Sequence, residues 1–403
     1  MTSFRRGTVS ALLALTLPLP LIGAASAAPA TPSFPANTQP VPEPAPRLEL
    51  PVPEGRYGVG TSSLHLTDTS RTDHWVPSSG AREVLVSMYY PARKGTGKPT
   101  ARPYLTPEES QALLTKSSVG QMMPAGSAER VSATRTHARD RAVPVPGQRP
   151  LVVLSPGFEL PRATMTALAE ELASRGYVVA SLDHAYESVA AAFPGKGVLP
   201  CVACVKMDGA ERAEEWAVVP EGRSKDVSFV LDRLTGHQPV WKHSGMIDRK
   251  RIAMAGFSIG GNSAAQTMVD DRRVRAGFNL DGAFLAPVPE SGLGGRPFML
   301  LGEDQDQAKD QFWSWHRNWP RLDGWKRWIT VTGSHHMTFT DAPTLADQID
   351  GSPKLPGAPS GKRSTEIVRT YVTAFFDKHL RAKDRPVLDG PTPQNPEAIF
   401  HQN

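Results

Sequence analysis

The stretch that constrains this chain most is Met254-Ala-Gly-Phe-Ser-Ile-Gly-Gly-Asn262. Residues 251–255 are mostly apolar and run into Gly256-x-Ser258-x-Gly260, and small, helix-compatible residues follow over 263–268. The pattern therefore turns from strand to helix across a single serine. A serine at the apex of such a turn sits in strained backbone, with its hydroxyl raised above the end of a sheet strand. The flanking glycines keep side chains out of a turn too tight to hold them.

Such a unit needs a sheet in front of the serine and helices behind it, and the rest of the chain alternates accordingly. Leu151-Val-Val-Leu154 and Tyr177-Val-Val-Ala-Ser-Leu182 are short apolar runs of the kind buried in parallel sheets. Between them the spacing predicts an amphipathic helix over 164–174, stopped by Gly176. Another helix is predicted over 223–234, ahead of the serine strand. Strands over 274–280, 296–302 and 328–332 follow. A closing helix over 365–380 carries Ile367, Val368, Tyr371, Val372, Phe375 and Phe376 at helical spacing. Upstream, residues 63–67 and 82–91 read as an antiparallel strand pair. The expectation is an α/β fold: a mostly parallel sheet of about eight strands with helices on both faces. Residues 189–223 break the alternation and read as an excursion above the sheet, either a mobile lid or a static loop.

Composition limits the partners. A formal net charge of +5 is small and scattered, which argues against nucleic acid. The densest charged stretch, residues 129–141, mixes both signs and reads as a solvated connection. Arg5-Arg6, an apolar segment over 11–22 and Ala25-Ser26-Ala27 have the form of a cleaved leader over 1–27, too short to span a bilayer. Secretion is expected. A proline-dense arm is expected over 28–55, one folded domain over 56–392 and a tail over 393–403. In an exported protein Cys201 and Cys204 read most simply as a local disulfide. They lack the strand-helix-strand setting of a redox pair and the second ligand pair of a zinc site, so no metal is expected.

In a parallel sheet the C-terminal strand ends converge on one crevice. Here those ends carry Ser258, then Asp281, then Glu303-Asp304-Gln305-Asp306, then His335-His336. Nucleophile, acid and histidine in that order is the α/β-hydrolase arrangement. The serine hydroxyl is a weak nucleophile until an imidazole takes its proton, and a carboxylate orients that imidazole and stabilises its charged form. Negative charge developing on a substrate oxygen needs donors already in place. The N–H of Ile259 heads the helix after the serine, and the N–H of Phe158 follows the Pro156-Gly157 turn. The residues alone leave Asp304 and Asp306 as rivals to Asp281, and His335 as a rival to His336. Asp183-His184 also ends a strand, as a satisfied buried pair or as part of a substrate rim. Trp313, Trp315, Trp319, Trp325 and Trp328 crowd together, either as core beneath a loop or as an acyl-binding wall.

Several runs carry a family resemblance. Leu151-Val-Val-Leu-Ser-Pro-Gly-Phe158, Leu172-Ala-Ser-Arg-Gly-Tyr-Val-Val-Ala180, Gly256-Phe-Ser-Ile-Gly-Gly261, Asn279-Leu-Asp-Gly282, Gly333-Ser-His-His336 with Phe339, and Phe375-Phe-Asp-Lys-His-Leu380 resemble the plasma-type platelet-activating factor acetylhydrolases and their bacterial relatives. The resemblance covers residues 56–392. It implies the α/β-hydrolase fold, with Ser258 as nucleophile, Asp281 as acid, His336 as base, and Phe158 and Ile259 as oxyanion donors. It also implies an acyl-lipid or short-acyl ester substrate; transient contact with a lipid interface and no metal or organic cofactor are expected. Two positions depart from the pattern: Pro156 and Phe257 stand where relatives often carry histidine. A secreted polyesterase, cutinase or serine peptidase would share these residues. A binding protein on the same scaffold would lack a working set.

Overall fold

Alternation along the strands decides which helix layer each residue meets. In the strand Arg149–Ser155, Val152 and Leu154 join one core with Leu168, Leu172 and Phe375, whereas Leu151 and Val153 join a second core with Val230, Leu231 and Met268. The first core lies under the helices Thr166–Ser174 and Gly361–Arg381, the second under Val218–Thr235 and Ile259–Asp270. The computed structural model describes residues 46–401 apart from 101, 211 and 305–308. The expected leader and the arm as far as residue 45 lie outside the described residues.

In chain order the strands are β1 (Gly58–Thr72), β2 (Ala81–Ala92), β3 (Lys98–Pro99), β4 (Arg139–Asp140), β5 (Arg149–Ser155) and β6 (Val178–His184). A small hairpin of β7 (Ala192–Phe193) and β8 (Gly197–Val198) comes next. Then come β9 (Ile247–Phe257), β10 (Val274–Leu280), β11 (Phe298–Gly302), β12 (Lys326–Val331) and β13 (Ala398–Phe400). One sheet of 11 strands runs β13-β12-β11-β10-β9-β5-β6-β2-β1-β4-β3. From β12 to β6 all neighbours are parallel, while β2 and β1 continue the sheet antiparallel. Eight of the 11 strands are five residues or longer and match the expected sheet. The other three, β3, β4 and β13, hold only two or three residues, too few to leave a period in the sequence.

The structure differs from the expected boundaries in three places. Leu48 and Leu50, in the proline-dense stretch, are buried, and their backbone pairs with Arg135, so the arm joins the folded body from residue 46. The tail contributes β13, which caps β12 as an antiparallel edge. The helix expected at 223 begins at Val218, with Pro220 inside its first turn, where a missing N–H costs no helical hydrogen bond.

The excursion over 189–223 carries a small core of its own: Ala191, Phe193 and Leu199 pack with Leu85 and Ala185. The disulfide Cys201–Cys204 closes one turn of it. The tryptophans divide. Trp315 and Trp328 are buried against one another, Trp325 packs on Phe375 and His379, and Trp313 is exposed. Among the described residues no helix is long and apolar enough to cross a membrane.

Phe375 ties the closing helix to β10, with its ring against Phe278, Phe376 and Trp325 and no exposed surface. Phe375→Ala should lower unfolding free energy by about 3–5 kcal/mol, the usual cost of emptying a large buried aromatic site. Urea denaturation checks this. A loss under about 1 kcal/mol would show that the helix is not anchored there.

Candidate active site

β9 delivers the chain to Ser258, whose φ of 55° and ψ of −126° lie in a region that side chains rarely occupy. Such a residue costs on the order of 1–3 kcal/mol and persists only where its surroundings over-determine it. Here the Ser258 N–H donates to Leu280 O at 2.7 Å, and its carbonyl accepts from Gly261 N–H at 2.8 Å. A Cβ on Gly256 would lie 2.1 Å from the carbonyl carbon of Gly260, and one on Gly260 would lie 2.1 Å from Ser155 O. Glycine at both positions is what lets the turn close and the helix start against the sheet.

β10 ends one strand away, and Asp281 follows it, also at positive φ (59°). Its N–H bonds to Leu301 O at 2.8 Å, and its carboxylate is fully buried. One carboxylate oxygen accepts from the Glu303 N–H at 2.7 Å. The other lies 2.6 Å from His336 Nδ1, and His336 Nε2 lies 3.0 Å from Ser258 Oγ. With Nδ1 donating to Asp281, Nε2 is left to accept the serine proton. His336 opens the short 3-10 turn His336–Phe339 after β12, and its ring packs on Phe257 at 4.7 Å.

Burial opposes charge on His336, but the hydrogen bond and negative charge of Asp281 outweigh it and raise its pKa above the ordinary histidine value. His335 is shifted the other way, by burial and then by the neighbouring His336. Of the two histidines, His336 is the one that bridges serine and carboxylate. Of the candidate acids, Asp281 is the one bonded to it. Asp304 instead accepts from the Gly333 N–H at 3.3 Å, and Asp306 lies outside the described residues.

The turn that carries Phe158 stands beside the elbow because β5 pairs with β9, which sets Ser155 opposite Gly256. Ile259 is the first residue of the helix behind Ser258. The two N–H groups singled out in the sequence thus belong to neighbouring turns at one end of adjacent strands. Phe158 is edge-on to Trp216, at 5.1 Å between rings, so the excursion supplies an aromatic wall next to this turn. Asp183 and His184 fall elsewhere: Asp183 pairs with Arg162, His184 faces Ser155 and Asp226, and both are buried.

Glu303 was not singled out from the sequence, although it heads the acidic run after β11. Burial and the adjacent Asp281 push its carboxyl up to about 7. Asp281, Glu303 and His336 bring one ligand-type atom each within 4.8 Å. Both ring nitrogens of His336 and both carboxylate oxygens of Asp281 take part in hydrogen bonds, to Ser258, to one another and to the Glu303 N–H.

An elbow serine, a strand-end aspartate and a late histidine on a mostly parallel sheet define an α/β-hydrolase. More narrowly, the chain belongs to the family described as platelet-activating factor acetylhydrolase, isoform II, whose model matches residues 45–197 and 229–389. Most of the excursion falls in the unmatched gap. A probable 1-alkyl-2-acetylglycerophosphocholine esterase of Arthroderma benhamiae is 28% identical over 385 residues, which cover 87% of this chain and 93% of that protein. The platelet-activating factor acetylhydrolase of Gallus gallus is 25% identical over 301 residues, covering 63% and 67%. The solved structure of a ferulic acid esterase from Streptomyces cinnamoneus is 41% identical, covers 88% of this chain and 99% of that one, and superposes with a TM-score of 0.76. The protein is a hydrolase of carboxylic esters.

The two adjacent histidines should separate by titration. In histidine-ring NMR, His336 is expected to titrate above pH 6.5 and His335 below it. Asp281→Asn removes the two largest effects that raise His336, leaving the smaller pull of Glu303 against the burial that lowers it, so its midpoint should drop. An unmoved midpoint would contradict the pairing.

Proposed function

We propose that the protein is an exported serine esterase that hydrolyses acyl-lipid or short-acyl esters through an acyl-enzyme. The observation that carries this reading is the unbroken line from Ser258 Oγ through His336 to the buried carboxylate of Asp281. Ser258 Oγ attacks the ester carbonyl while His336 Nε2 takes its proton. Asp281 holds the imidazolium that forms. The N–H groups of Ile259 and Phe158 receive the oxyanion, and the dipole of the helix Ile259–Asp270 adds to the same field. His336 then protonates the departing alcohol. Water enters, His336 removes its proton, and the acid leaves as Ser258 recovers its hydrogen. Every proton has a donor and an acceptor among these side chains.

Support for export comes from the leader-like residues 1–27 and from a disulfide, which persists in oxidising compartments. The domain reading stays a leader, an arm and a hydrolase body, with the body now taken from residue 46.

The substrate class has two supports that differ. The family and its curated relatives are named for acetyl esters of alkyl phospholipids. The more similar ferulic acid esterase is named for an aromatic acid, and the Phe158–Trp216 pair would suit an aromatic acyl group. Turnover of p-nitrophenyl acetate, p-nitrophenyl palmitate, methyl ferulate and an sn-2-acetyl phospholipid separates these classes. The acetyl esters are expected to lead, and methyl ferulate in front would reassign the pocket.

A fluorophosphonate probe should label the wild-type protein and leave Ser258→Ala unlabelled. Asp281→Asn should lower kcat by about 10⁴-fold, as loss of a triad carboxylate does in serine hydrolases. Asp304→Asn should stay within about threefold of wild type, because the carboxylate bonded to His336 is that of Asp281 and Asp304 accepts from the Gly333 N–H. The reverse order would refute the assignment. Since His336 must be neutral to act, kcat/KM should fall on acidification with a midpoint above pH 6.5.

A further inference from the structure

Beneath the Phe158 turn lies a closed ring of six buried side chains. Ser155 Oγ is 3.1 Å from His184 Nε2, and His184 Nδ1 is 2.8 Å from Asp226 Oδ2. Asp226 is paired with Arg82 at 2.8 Å, Arg82 with Glu187 at 2.8 Å, and Glu187 with Arg223 at 2.8 Å. Arg223 Nη1 closes the ring on Ser155 Oγ at 3.2 Å. None of the six is more than 2% exposed. Arg223 and Asp226 stand three residues apart on the helix Val218–Thr235, so one helical face closes both sides of the ring.

The ring reaches into the backbone of the turn. Arg223 Nη1 donates to Pro156 O at 2.5 Å, and Nη2 donates to Gly157 O at 3.5 Å. On the far side the Glu159 N–H donates to Glu187 O at 3.1 Å. The turn is therefore held at 155, 156, 157 and 159. Residue 158 lies between these anchors, and among the described residues no hydrogen bond takes its N–H.

Gly157 C=O and Phe158 N–H belong to one planar trans peptide and point in opposite directions. The Arg223 guanidinium and the Leu160 N–H, which donates to the same Gly157 carbonyl at 3.4 Å, both meet this peptide on its carbonyl side, so the Phe158 N–H faces outward, away from the buried ring. Burying this many charges costs desolvation that an apolar filling of the same space would avoid. The ring returns fixed peptide planes where preorganised donors matter most.

We propose that Arg223, held by this ring, is the positioning residue of the oxyanion turn: it orients the Gly157–Phe158 peptide so that the Phe158 N–H meets the tetrahedral oxyanion. The inference rests on the reading of Ser258 as nucleophile. It also gives His184 and Asp226 a role as supports of the ring rather than as part of a substrate rim.

The test is steady-state kinetics on p-nitrophenyl acetate together with inhibition by an alkyl trifluoromethyl ketone, whose hemiketal with a serine carries a tetrahedral oxyanion. The variants are Arg223→Lys, His184→Gln, and the double variant Arg223→Met/Glu187→Gln, which removes the ion pair without stranding a buried charge. Rates are taken per folded molecule by circular dichroism. The double variant should lose about 10- to 100-fold in kcat, toward the effect of losing one oxyanion donor, with KM within about threefold. Ketone affinity should weaken by the same factor as kcat/KM. Arg223→Lys, which keeps the charge but not the fork, should fall between it and wild type. If the double variant does not fold, Arg223→Lys and His184→Gln carry the same comparison. Wild-type kcat in folded variants, or a loss confined to KM with ketone affinity kept, would overturn the proposal. Ser258→Ala separates the two readings. If it is inactive while the Arg223 variants turn over normally, only the positioning role fails; if it is active, both fail.

Discussion

The close approach of three backbone segments at Ser258 is the constraint on which the rest of the site depends. The end of β9, the start of the helix Ile259–Asp270 and the turn after β5 come so near that neither Gly256 nor Gly260 has room for a Cβ. That crowding holds Ser258 at positive φ. It also brings the turn of Phe158 beside the elbow, because Ser155 pairs with Gly256. A side chain at either glycine would move Ser258 and the N–H groups of Phe158 and Ile259 together. The parallel sheet then sets Asp281 one strand over, and β12 brings His336 back across the crevice.

Two Ser–His–Asp lines of similar geometry stand among the described residues. In Ser258–His336–Asp281 the histidine side chain is 39% exposed, whereas in Ser155–His184–Asp226 it is 1% exposed. The surroundings push the two imidazoles apart. Burial lowers His336 but Asp281 prevails and its pKa rises, while burial and the positive charge of Arg223 lower that of His184. One histidine can accept a proton beside solvent. The other is kept neutral as a strut, with both ring nitrogens hydrogen-bonded. Residue types and spacing alone would not tell these lines apart; exposure and the neighbouring charge do.

The sequence made the sheet legible wherever strands were long and buried, because continuous apolar runs such as 151–154 and 177–182 leave little other choice. It left out β3, β4 and β13, whose two or three residues carry no period. Ser258 and Ile259 were readable from the glycine spacing. Asp281 against Asp304, and His336 against His335, were settled in the sequence only by family resemblance, since Asp304 follows the neighbouring strand and His335 the same strand as His336. Glu303 and Arg223 escaped notice for a different reason. Their significance comes from partners far along the chain, Asp281 for the one and the 155–157 backbone for the other, and local pattern does not carry such contacts.

The proposed chemistry is covalent, with the ester's acyl group passing through Ser258. Acid-quenching the enzyme within milliseconds of mixing with p-nitrophenyl acetate, then digesting it and analysing the peptides by mass spectrometry, tests that directly. The account predicts a burst of p-nitrophenol close to one equivalent and a 42 Da acetyl increment, as acylation dictates, on the peptide containing Ser258. Turnover without a burst, or acetyl carried on another residue, would contradict it.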